Sequence, residues 1–146
     1  MDFDKDTSAG YLANHMARLF AKGLQDRIAP IGISLGQFPI LLELWERDGI
    51  SQKQLVAKLD IEQATIANTL NRMERDKLIR RTAHPNDARA QQIWLTDQAK
   101  TMRDPAYAAA QQQNTQALSG LSLNQQAQFM KHMTDVIAAM RPKNSP

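Results

Sequence analysis

Thr65, Asn68, the adjacent Asn71 and Arg72, and Arg75 recur at helical spacing along a stretch running from about residue 62 to 76. At roughly 100° per residue they share one helical face with Ala64, while Ile66, Leu70 and Met73 fall on the other. The outer face is therefore short, polar and basic. Base edges require compact side chains that both donate and accept, as Gln63, Thr65 and Asn68 do, whereas phosphates require cations such as Arg72 and Arg75. Downstream, Leu78 to Thr82 and Gln91 to Leu95 alternate in strand fashion around a turn-rich stretch, residues 83–90, that contains Asp87 and Arg89. This predicts a hairpin with a long, basic tip, in which Ile79 with Arg81, and Ile93 with Leu95, share alternating faces. Arg80 and Arg81 read as a solvated strand edge that discourages aggregation.

The elements that must position this face are helices. A first amphipathic helix runs from a cap at Thr7 or Ser8 to about Ala29, with Leu12, Met16, Leu19, Phe20, Leu24 and Ile28 at helical spacing and Pro30 and Gly32 as stop signals. Ser34 and Gln37 have the spacing of a capping box and open a second helix reaching Asp48-Gly49; Ser51 and Gln54 repeat that spacing and open a short third. The basic-faced helix is the fourth. After Thr96 the chain is helical to about Ser119, with a kink or restart at Pro105, and a sixth helix from about Leu123 carries Phe129, Met133, Val136 or Ile137, and Met140 before Pro142. Residues 143–146 are expected to fray.

The third helix, a tight turn, the fourth helix and the basic hairpin describe a winged helix-turn-helix. In such a fold the fourth helix enters the major groove of duplex DNA and the hairpin reaches the neighbouring minor groove. The charge agrees: residues 51–103 hold ten of the 18 Lys and Arg against six of the 15 Asp and Glu, although the whole chain of 146 residues is only +3. Other chemistries find no support. There is no cysteine, which removes thiolate zinc sites and Cys nucleophiles. His15, His84 and His132 lack the paired spacing of a metal site. No nucleophile elbow, phosphate-cradling Gly loop or paired-carboxylate motif frames an active site, so neither an enzyme nor a cofactor is expected. The methionines read as packing residues. The acidic start, Met1 to Asp6, is unlike a signal peptide and no apolar run can span a bilayer, so a cytoplasmic protein without membrane contact is expected.

The same residues resemble the MarR family of bacterial transcriptional regulators across nearly the whole chain. Residues 51–59, S-Q-K-Q-L-V-A-K-L, look like the family's third helix, and residues 64–74, A-T-I-A-N-T-L-N-R-M-E, resemble its recognition helix, usually S-T-V-T-R-x-x-D-R-L-E. Residues 85–90, P-N-D-A-R-A, carry the D-x-R signature of the wing, and residues 95–100, L-T-D-Q-A-K, resemble its L-T-x-x-G-K junction. The resemblance implies that Arg89 enters the minor groove and that Asp87 orients it. A carboxylate beside such an arginine can also fix its rotamer before binding. Ala64 and Asn68 stand where the family has Ser and Arg, and Asn68 suits adenine where arginine suits guanine. Lys77 replaces the glycine after the recognition helix, so either it bears a positive φ or the turn differs.

The expected protein is mainly α-helical, with six helices and a β-hairpin wing. Residues 34–96 form the DNA-binding lobe, and residues 1–33 and 97–146, containing helices 1, 5 and 6, form a dimerisation region. It binds pseudo-palindromic duplex DNA as a homodimer through Gln63, Ala64, Thr65, Asn68, Asn71, Arg72, Arg75 and Arg89. The resemblance further implies a repressor relieved by a small aromatic or phenolic effector, for which Tyr11, His15, Arg18 and Phe38 are candidates. The rival expectation is a winged-helix module that binds a protein and not specific DNA.

Overall fold

A computed structural model describes residues 2–142, so the expectation for residues 143–146 lies outside the described residues. The first helix, α1 (Ala9–Ile28), begins where the Ser8 hydroxyl accepts from the Tyr11 backbone N–H, and it follows a short 3-10 turn at Lys5–Thr7. The Ser34 and Gln37 side chains exchange hydrogen bonds with each other's backbone N–H as their spacing predicts, but the turn they close stands just ahead of α2 (Phe38–Glu46), which carries Pro39 in its first turn. Proline lacks the N–H that a first turn leaves unpaired anyway, so it fits there without loss. The helix ends at Glu46, earlier than the expected Asp48-Gly49. Asp48 is drawn out of the helix instead, its Oδ1 accepting from the N–H groups of Gly49 at 3.1 Å and Leu95 at 2.8 Å.

The Ser51–Gln54 capping box opens α3 (Gln52–Leu59), and Asp60 ends it in the left-handed region at φ +54°. Helix α4 (Gln63–Arg75) follows and buries Ile66, Thr69, Leu70 and Met73. It stops in a Schellman turn: the Leu78 N–H donates to the Met73 carbonyl at 2.9 Å, the Lys77 N–H to Glu74 at 3.1 Å, and Lys77 takes φ +61°. Of the two expectations for Lys77, the positive φ is the one realised.

The wing pairs β1 (Ile79–His84) with β2 (Asp87–Leu95), in the register Ile79 with Leu95, Arg81 with Ile93 and Ala83 with Gln91. The long tip expected over residues 83–90 is instead mostly strand. A bulge between Ala83 and His84 lets pairing resume at His84 with Asp87, leaving only Pro85 and Asn86 at the apex. The other edge of β2 is covered too, because Ile93 exchanges backbone hydrogen bonds with Gly49 and Ile50 and Ser51 bridges Gln92. Gly49 sits there at φ +77° with the Trp94 ring against it: a Cβ would lie 2.6 Å from Trp94 Cη2.

The fifth helix predicted after Thr96 is divided into α5 (Asp97–Thr101) and α6 (Arg103–Ala117). Pro105 has no N–H for the Thr101 carbonyl, which places the break at Met102. The last helix, α7 (Leu123–Met140), starts from a third capping box, Ser122 with Gln125. One core joins these pieces: Ile28 of α1, Leu41 and Leu44 of α2, Leu55 of α3, Ile66 and Leu70 of α4, Ile79 and Ile93 of the wing, and Ala99, Met102 and Ala106 of α5 and α6. Each large side chain so buried contributes roughly 1.5–3 kcal/mol. Helix α1 crosses α6 at Gly23, whose missing Cβ leaves room for the Gln113 amide that Arg27 also grips. Helix α7, by contrast, buries none of its residues, and Val136, Ile137 and Met140 are 56%, 53% and 74% exposed. No described helix is long and apolar enough to cross a membrane.

Candidate nucleic-acid interface

Helix α4 is held from behind by its buried Ile66, Leu70 and Met73, so its opposite face is presented outward as a rigid surface. Ala64, Thr65, Asn68, Asn71, Arg72 and Arg75 are all exposed on it, and Gln63 is exposed at the start of the helix. The Thr69 hydroxyl, which is buried, is satisfied within the helix by donating to the Thr65 carbonyl at 2.8 Å. At the N-terminus Glu62 provides no side-chain cap, which leaves the first N–H groups of α4 for an outside acceptor.

Between this end of α4, the start of α3 and the wing lies an open cleft of about 410 Å³. Gln52 and Lys53 line one wall, Gln63 the floor, and Asp87, Arg89 and Gln91 the other. Arg89 is exposed at the wing, as the sequence predicts. The contact made by Asp87 differs from expectation. Its Oδ1 accepts from the Arg89 backbone N–H at 3.0 Å, so it orders the strand that carries the arginine and not the guanidinium rotamer. At the apex the Asn86 N–H similarly donates to His84 Nδ1 at 3.1 Å.

Sequence reasoning passed over Lys53. A cation in the first turn of a helix opposes the helix dipole, so its presence two residues after the Ser51 cap was a readable sign of an anionic partner. Arg81 also differs from expectation. Its register opposite the buried Ile93 turns it toward α4, where its Nη2 donates to Asn71 Oδ1 at 2.7 Å. It is half-buried and not a solvated edge. Arg80, on the opposite face of the strand, is exposed with its guanidinium 5.8 Å from the Trp94 ring centroid. At the far end of α4, Asp76 receives Arg75 Nε at 3.2 Å and, from the buried Gln37, Nε2 at 3.2 Å. The joint before α2 is thereby tied to the end of α4.

The four candidate effector residues are not brought together within the protomer. Phe38 lies in the core, 4% exposed, with its ring edge-on to Trp45 at 6.3 Å. Tyr11, His15 and Arg18 are exposed on α1, the first two with ring centroids 6.4 Å apart. A phenylalanine at a helix start looks the same in sequence whether it points inward or lines a pocket.

Residues 33–90 match the model of the MarR family. The HTH-type transcriptional regulator TtmR of Methylorubrum extorquens is 29% identical over 87 residues, 60% of this chain and 45% of that protein. The chain thus spans about half the length of such curated relatives. A probable transcriptional regulator from Pseudomonas aeruginosa has the same fold with a TM-score of 0.83 and 26% identity, covering 91% of this chain and 99% of its own. Staphylococcus aureus MepR, in a structure with DNA, superposes with a TM-score of 0.83 at 21% identity over 91% of this chain and 98% of that one. Residues 33–90, which match the MarR family model, run from just before α2 into the wing of a fold that this chain shares with these regulators.

Proposed function

We propose that the protein is a sequence-specific regulator of transcription that binds duplex DNA as a homodimer. One observation carries this reading. The outward face of α4 carries the compact polar residues Thr65 and Asn68 with Arg72, and at its start Gln63 meets Lys53 and Arg89 in a cleft open to solvent. Side chains of this size read base edges, and cations at its margins hold the two phosphate backbones. In this arrangement α4 lies in the major groove, Arg89 reaches the minor groove, and Asp87 holds the wing in the shape that delivers it.

The exposed apolar stripe of α7 supports dimerisation through residues 1–33 and 97–146, with residues 34–96 as the DNA-binding lobe. Two such lobes related by a two-fold axis read half-sites about one helical turn apart. Repression relieved by a small aromatic or phenolic effector completes the proposal. An effector that binds a spacing of the two lobes incompatible with DNA releases the operator by linkage, in proportion to its preference for that state. The core shared between the lobes, and the Gln37–Asp76 link, supply the packing through which such a shift reaches α4.

Fluorescence anisotropy on a bound duplex over a salt series tests the reading. Arg89→Ala weakens binding and lowers the salt slope by about one. Unchanged affinity in this variant rejects the assignment of the wing.

A further inference from the structure

Asn71 stands on the outward face of α4 between Asn68 and Arg75, yet its side chain is not equivalent to that of Asn68. Arg81 Nη2 donates to Asn71 Oδ1 at 2.7 Å. A guanidinium has donors and no acceptor, so the amide atom facing it is the oxygen whichever way the amide is drawn. One lone pair of the Asn71 carbonyl is thereby taken and the oxygen is turned toward Arg81, so Nδ2, for which the described residues provide no partner, is the end presented to a ligand. Arg81 is itself held in place. It is half-buried and its strand register opposite Ile93 aims it at α4, and the bond to Asn71 offsets the cost of an Nε that is buried without a hydrogen-bond partner.

From this geometry we infer that Arg81 is a positioning residue that orients the Asn71 amide so that it meets DNA through its amine. An asparagine with both ends free pairs bidentately with adenine, donating to N7 while accepting from N6. Asn68, exposed one turn earlier, retains both ends. In Asn71 the accepting oxygen is already engaged by Arg81. Asn71 therefore favours a base edge that offers acceptors, N7 and O6 of guanine or O4 of thymine, over the N6 amine of adenine, which needs the oxygen that Arg81 holds. The two asparagines of one helix face then select different bases.

This inference rests on the DNA-binding reading above, and the experiment separates the two. Wild type, Arg81→Met and Asn71→Asp are each used to select duplexes from a random pool, with circular dichroism confirming the fold. Failure of the wild type to enrich any sequence rejects the DNA-binding reading itself. With an enriched site in hand, Arg81→Met frees the amide, and preference at one base pair per half-site shifts toward adenine by roughly tenfold while the other positions keep theirs. Asn71→Asp keeps the acceptor for Arg81 but removes the donors, and the preference for guanine or thymine at that base pair is lost. An unchanged base preference in both variants overturns the inference. So does a uniform loss of affinity across all sequences in Arg81→Met, which would make Arg81 a phosphate contact.

Discussion

Lys77 is where the recognition helix hands over to the wing, and its φ of +61° lets the energetics of that junction be worked out. A side chain in the left-handed region costs about 1–2 kcal/mol. Glycine removes that cost, but it gives the unfolded chain extra freedom worth roughly 0.5–1 kcal/mol in the opposite direction. Little else changes. The Lys77 side chain is exposed, and the two hydrogen bonds of the turn, at 2.9 and 3.1 Å, are made by backbone groups that glycine keeps. The first effect is the larger, so Lys77→Gly stabilises the protein by about 0.5–1 kcal/mol, a rise in Tm of roughly 1–4 °C for a chain of this size. Lys77→Ala keeps the strained backbone while removing the same charge, and it serves as the control. Urea unfolding followed by circular dichroism at a fixed protein concentration measures both. A midpoint for Lys77→Gly no higher than that of Lys77→Ala refutes the reasoning, because the turn would then carry no strain to release.

Three further substitutions probe other parts of the account. Gly49→Ala has the opposite sign, since a Cβ at φ +77° would meet the Trp94 ring at 2.6 Å; it lowers stability by more than about 2 kcal/mol in the same assay. Lys53→Ala weakens DNA binding equally for specific and unrelated duplexes and reduces the salt slope by about one, as a phosphate contact does; altered base preference would show it to be a reader. Ile137→Asp, placed in the exposed stripe of α7, converts the protein to a monomer in sedimentation equilibrium while circular dichroism stays helical; an intact dimer would move the interface elsewhere.

Much of this architecture is legible in the chain because local chemistry agrees with the global fold. Ser51 with Gln54, Thr96, and the three-and-four spacing of Ile66, Leu70 and Met73 each specify a helix start or a buried face without help from distant residues. The wing tip was less legible. Pro85 and Asn86 mark a turn, but the pairing of His84 with Asp87 depends on a bulge that no local propensity announces. Asp48 shows a similar limit, since its acceptor role toward Leu95 joins residues 47 positions apart. The site divides the same way. The outward face of α4 follows from periodicity, whereas the engagement of Asn71 by Arg81 depends on strand register against a helix. Phe38 lies in the core, and its sequence position does not separate packing from ligand contact because both call for the same side chain.

The central claim is that two copies of this chain read DNA through α4 and the wing. Selection of bound duplexes from a random pool with the purified wild-type protein, read at two salt concentrations, tests it most directly. The account predicts enrichment of a two-fold symmetric site whose half-sites lie about one helical turn apart, with affinity falling steeply as salt rises. Enrichment of no sequence at low salt, or of a single half-site without its symmetric mate, would contradict it.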